Sequence, residues 1–108
     1  MTLREKHQQG QFTITVELDP PKSSSAEKTF EQAARLKGKV DAINIADSPM
    51  SKMRMSPISL SYLLQHNKEI ETIFHLTCRD RNIIGLQADD VTIAACKVED
   101  SFDIFIVL

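Results

Sequence analysis

Cysteine is scarce, and the two present, Cys78 and Cys96, fall in no CxxC or Cys/His spacing. A zinc site or a disulfide framework therefore has no pattern to rest on, and two reduced thiols in a cytosolic, cytoplasmic protein are expected. No run of about eighteen apolar residues occurs, so no stretch reads as a spanning helix. The opening residues Met1-Thr2-Leu3-Arg4-Glu5-Lys6-His7 are charged and have no apolar core of the signal-peptide kind. The formal net charge is only −2, which gives no electrostatic footprint for nucleic acid or for an anionic membrane. Neither GxGxxG nor GxxxxGK(S/T) follows any candidate strand, so a dinucleotide fold and a P-loop have no motif support.

The chain has 108 residues, 42% apolar and 26% charged. These are the proportions of an ordinary soluble globular protein, and the length allows one domain, 1–108. Three stretches share a pattern. Phe12-Thr13-Ile14-Thr15-Val16-Glu17-Leu18-Asp19-Pro20-Pro21, Asp41-Ala42-Ile43-Asn44-Ile45-Ala46-Asp47-Ser48-Pro49 and Ile73-Phe74-His75-Leu76-Thr77-Cys78-Arg79-Asp80-Arg81-Asn82 each pass from apolar residues into a polar or proline-containing end. Each reads as a strand whose carboxyl end opens onto a loop. In parallel α/β sheets ligands bind at that end. The three strands thus deliver Glu17, Asp47 and His75 to one shared edge.

The intervening segments carry helix signals. Residues 1–11 are polar and read as a short helix or a frayed end. Phe12–Leu18 is expected as the first strand, with Thr13, Thr15 and Glu17 on alternate positions facing a barrel or cleft interior. Pro20-Pro21 stops it. Ser24 and Glu27 fit a capping box for a helix reaching about Lys37, with Ala26, Phe30, Ala33 and Ala34 as its apolar stripe and Gly38 as its C′ residue. Val40–Ala46 is a nearly continuous apolar strand, as when both faces are covered. A loop with Met50, Met53 and Met55 leads to Ser56 as N-cap and Pro57 at N1 of a helix that buries Leu60, Leu63 and Leu64 and ends near Asn67. Glu71–Leu76 is the third strand. A helix from about Arg81 to Val98 would place Ile84, Val91, Ala94, Ala95 and Val98 on one face, weakened by about 1 kcal/mol at Gly85. Asp80 or Asn82 is its cap, with Arg79 and Arg81 as a solvated helix start. Phe102–Leu108 is the fourth strand.

Strand and helix alternate throughout, which means an α/β fold of parallel βαβ units with right-handed crossovers. A four-stranded open sheet satisfies this, and so does the first half of a (β/α)8 TIM barrel, which needs about 250 residues. The residues alone leave their roles open. Glu17 is a proton-transfer group or a solvated strand residue. His75 is a ligand contact or an interior histidine with a backbone partner. Asp47 is a site residue or the head of an Asx-turn. The methionines line a pocket or form a mobile loop.

The three stretches, in this order and spacing, resemble the start of methylenetetrahydrofolate reductase, over about Phe12 to Ala88. The form is most similar to the reductase portion fused to a homocysteine methyltransferase in some bacteria. The resemblance implies a flavin-dependent oxidoreductase on a (β/α)8 barrel, in one-carbon and methionine metabolism. There, reduced FAD passes a hydride to 5,10-methylenetetrahydrofolate to give 5-methyltetrahydrofolate, and NAD(P)H is the electron donor. Glu17 matches the family's general acid at the end of strand one. That acid protonates the amine nitrogen freed when the imidazolidine ring opens to the reactive iminium. His75 matches a histidine lying against the flavin, and Ala46 and Asp47 match the strand-two end that touches FAD. Ala46 stands where the family often has a threonine. A second departure is at the carboxyl terminus. The family's Thr/Arg-Gly-Asp turn after strand four has no counterpart, and 89–103 has no small, Gly-containing helix end. The resemblance thus implies a truncated or split product, or one whose frame diverges near Asp90. Two further readings stand beside the enzyme. One is a non-catalytic half-barrel that pairs through its sheet edge, as a homo-oligomer or with a complementing barrel half. The other is an inactive remnant.

Overall fold

The computed structural model describes residues 3–96 and 104–107. Strands β1 (Thr15–Leu18), β2 (Ala42–Ile45), β3 (Thr72–Thr77) and β4 (Ile104–Val107) form one sheet in the order β1-β2-β3-β4. Every pairing is parallel. Parallel neighbours cannot be joined by a tight hairpin and need a crossover. The crossovers carry α2 (Glu27–Leu36), α3 (Pro57–Lys68) and α4 (Ile83–Ala95), and a short helix α1 (Leu3–Gln8) precedes β1. A doubly wound sheet reverses its strand order at a switch point. This one does not, and its alternation is that of part of a TIM barrel.

The register sorts the side chains onto two faces. Ile45 of β2 pairs with Phe74 of β3, and these share a face with Ile43 and Leu76. All four are buried in one cluster with Ala33 of α2, Leu60 and Leu64 of α3 and Ile93 of α4. Burying one such aliphatic or aromatic side chain contributes roughly 1.5–3 kcal/mol, so this helix-covered face holds the sheet together. The other face carries Thr15 and Glu17 of β1, Asn44 of β2, and Ile73, His75 and Thr77 of β3, all half-buried except Glu17, which is exposed. Along β3 the buried and half-buried residues alternate without a break. That pattern belongs to a strand covered on one side only.

Helix α1 docks at the amino edge of the sheet. The Leu3 amide donates to both carboxylate oxygens of Glu71, at 2.9 and 3.0 Å. Lys6 forms an ion pair with Asp41, whose other oxygen accepts from the Ile14 amide at 2.7 Å. With Leu3 buried, this end of the sheet is occupied, and the carboxyl ends of the strands remain as the open edge.

Several local expectations are corrected. β1 begins at Thr15, not Phe12. Ile14 bonds to Asp41 instead, and Phe12 is left 89% exposed. No capping box forms. α2 has Ala26 at its N-cap with no side-chain cap, while the Ser23 hydroxyl bonds to the backbone of Ser25. Thr29, not Ala34, joins Ala26, Phe30 and Ala33 on its inner face. Gly38 does adopt the left-handed conformation expected after a helix, with φ of 84°. Ser56 and Pro57 start α3 as expected, though the Ser56 hydroxyl makes no cap bond. The largest difference from expectation is at α4. Its inner residues are Leu86, Ile93 and Cys96, whereas Ile84 and Val91 are 74% and 70% exposed. Val98, expected on the same face, and Phe102 and Leu108, expected in β4, lie outside the described residues.

Candidate functional site

The carboxyl edge is built by the ends of β1, β2 and β3 and the loops that follow them. At its centre Asp47, the second residue after β2, is buried, with its side chain 7% exposed. Its Oδ2 accepts from the Thr77 amide at 2.8 Å, the Thr77 hydroxyl at 3.1 Å and Arg81 Nη1 at 2.5 Å. Arg81 Nη2 faces Oδ1 at 3.4 Å. The Arg81 guanidinium also donates to the Thr77 carbonyl at 2.6 Å and, through Nε, to Asp89 of α4 at 2.6 Å. Desolvation opposes the charge on Asp47, but hydrogen bonds from Arg81 and Thr77 outweigh it and hold the carboxyl below its ordinary value. Arg81 is desolvated too, and its bonds to Asp47 and Asp89 hold it in the charged form. The pair is a tie between two strand ends and a helix.

A second tie joins the same two loops. Arg79 Nη2 donates to the Ser48 carbonyl at 2.9 Å. Ser48, Met50 and Ser51 all have positive φ, at 43°, 61° and 57°. Left-handed backbone is unfavourable for residues with a Cβ, and three such residues so close together persist only where the surroundings hold them. Asn82 caps α4, accepting from the Gly85 amide at 2.7 Å.

The residues singled out in the sequence are distributed along this edge. Glu17 pairs in register with Asn44, and Asn44 with Ile73, so Glu17 shares the open face with His75, two residues beyond Ile73. One step past the Ile45–Phe74 pair, Ala46 comes beside His75 and is buried. Strand spacing puts the Glu17 and His75 backbones about 12 Å apart on that face. Asn44 donates to the Thr15 hydroxyl at 2.8 Å on that face. Asp47 reaches the same edge, yet its carboxylate turns inward to Thr77 and Arg81, and the Asx-turn alternative is not what holds it.

Arg81, expected as a solvated helix start, is instead bonded to Asp47, Asp89 and the Thr77 carbonyl and is 16% exposed. A signal was available: a lone acid at the end of one strand and a basic residue just past the next can meet across parallel neighbours. The methionine loop is exposed at Met50 and Met53, while Met55 packs against the core and lines a cavity with Met53, Ser59 and Leu63. No helix among the described residues is long and apolar enough to cross a membrane.

No curated protein matches the chain. The family model for methylenetetrahydrofolate reductase matches residues 2–98, which takes in β1 to β3, all four helices and every residue of the edge just described. A parallel α/β sheet in sequence order agrees with that match, and the chain belongs to the methylenetetrahydrofolate reductase family.

Proposed function

We propose that this chain contributes the first strands of a site that reduces 5,10-methylenetetrahydrofolate to 5-methyltetrahydrofolate with FAD. The observation that supports the reading is the shared face: the register puts Glu17 of β1 and His75 of β3 on the same side of the sheet, toward its carboxyl edge. The donor set suits a flat aromatic cofactor. Ala46, beside His75, has no bulk to hold a ring away, and Ile73 and His75 supply an apolar and a polar surface on the same strand. Ala46 and His75 would hold the flavin, with Asp47 at the same rim, and FAD when bound supplies the hydride. Glu17 gives the proton that opens the folate ring, which requires a carboxylic acid sheltered from water. NAD(P)H is the expected reductant, and the cytoplasm the expected location.

The first test is a visible spectrum of the purified chain after incubation with FAD and desalting. A retained flavin band supports the site; its absence counts against cofactor binding by these strands. Within a complete barrel carrying this sequence, Glu17→Gln should abolish folate reduction while FAD stays bound. Retained turnover of methylenetetrahydrofolate would remove Glu17 from the mechanism.

A further inference from the structure

We infer that Asp47 and Arg81 are positioning residues of the cofactor edge, acting on a bound flavin through the backbone of β3 and the two rim loops and not by touching it. This rests on the flavin reading above. Asp47 directs its carboxylate to Thr77 and Arg81, and its side chain is 7% exposed. A carboxylate with three donors on one oxygen, shielded to that degree, has little left to offer a ligand. It is, however, placed between the two other expected contacts. Ala46 immediately precedes Asp47, and Thr77 follows His75 by two residues on the same face of β3.

Both ties run in the same direction. Arg81 and Arg79 leave the turn after β3 and reach back to Asp47 and to the Ser48 carbonyl at the start of the loop after β2. That loop contains the three left-handed residues Ser48, Met50 and Ser51. The Arg81 guanidinium is itself anchored by Asp89 of α4 and by the Thr77 carbonyl. The two rim loops therefore form one unit, and the planar fork of arginine suits the joint better than a lysine ammonium.

A double-mutant cycle tests this on the 108-residue chain. FAD dissociation constants are measured by flavin fluorescence quenching for the parent, Asp47→Asn, Arg81→Met and the double variant, at a temperature where circular dichroism shows each folded. Each single change should weaken FAD about tenfold, as small misplacements of a binding edge do. The double variant should be no weaker than the worse single, because the two residues act through one joint. A product of the two losses, near a hundredfold, would mean independent contacts with the ligand and would overturn the inference. So would an unchanged affinity in either single variant. Arg81→Lys, which keeps the charge without the fork, should recover part of the loss. If the parent binds no FAD, the flavin reading fails separately, and the joint is tested by amide exchange. Arg81→Met must then loosen residues 48–52 and 77–82 together while α2 and α3 keep their protection. Loosening confined to 77–82 overturns the joint.

Discussion

Asp47→Asn should destabilise the fold in a way that depends on pH with a definite sign. The amide keeps an acceptor for Thr77 but removes the charge facing Arg81, which stays protonated at every accessible pH. Breaking a buried ion pair by removing one partner costs about 3–5 kcal/mol. Here Arg81 keeps its bond to Asp89 and is 16% exposed, which lowers the expectation to about 2–3 kcal/mol at pH 7. That is a large share of the roughly 5–15 kcal/mol that holds a small domain together. The Asp47 carboxyl is held below its ordinary value by Arg81 and Thr77 despite its desolvation. A carboxyl depressed in the folded state contributes its full stability above the unfolded value, about 3.9. The contribution is lost as pH falls through the lower folded value. Urea denaturation followed by circular dichroism, at steps from pH 7 to pH 2.5, should show a gap between parent and variant that is constant down to about pH 4 and then closes. A gap of the same size at pH 2.5 and pH 7, or none at pH 7, would refute the charge-based account.

Ile93→Ala should cost about 2–4 kcal/mol because the side chain is buried against the sheet. Val91→Ala, on the exposed side of the same helix, should stay within about 0.5 kcal/mol; thermal melts of the two variants compare them directly. Asn82→Ala removes the cap bond to Gly85 and should lose about 1 kcal/mol, read by urea titration. Met50→Gly relieves a left-handed residue at φ of 61°. The relief of about 1–2 kcal/mol exceeds the roughly 0.5–1 kcal/mol entropic cost of glycine, so its urea midpoint should rise slightly.

The strand-helix alternation was legible because each strand passes from apolar to polar residues at its carboxyl end, and Gly38 and Pro57 punctuate the helices. The edge was legible as well: Glu17, Asp47 and His75 all come to the carboxyl edge that the pattern assigned them. What sequence could not reach was pairing across elements. Helical periodicity offers α4 two stripes, one through Ile84 and Val91 and one through Leu86 and Ile93. Asp89 lies on the second, so hydrophobicity favoured the first. The polar-interrupted stripe, whose Asp89 bonds to Arg81, is the one packed on the core through Leu86 and Ile93, and the more apolar one is left outside. For the same reason Arg81 looked solvated and Asp47 looked available to a ligand. Each was half of a pair separated by a helix and a strand in the chain.

Glu17 brings the two faces of the sheet into one chemical question. Donating a proton to a folate nitrogen near neutral pH needs a carboxylic acid kept from water, yet Glu17 is exposed on the face that the helices do not cover. The described helices of the crossovers pack on the opposite face, through Ala33, Leu60, Leu64 and Ile93, so none of them supplies that shelter. Under the proposed function the shelter comes from what binds on the open face, so in a complete barrel Glu17→Gln should abolish folate reduction and leave the FAD dissociation constant unchanged. A weakened FAD affinity in that variant would mean that the side chain serves binding and not proton transfer.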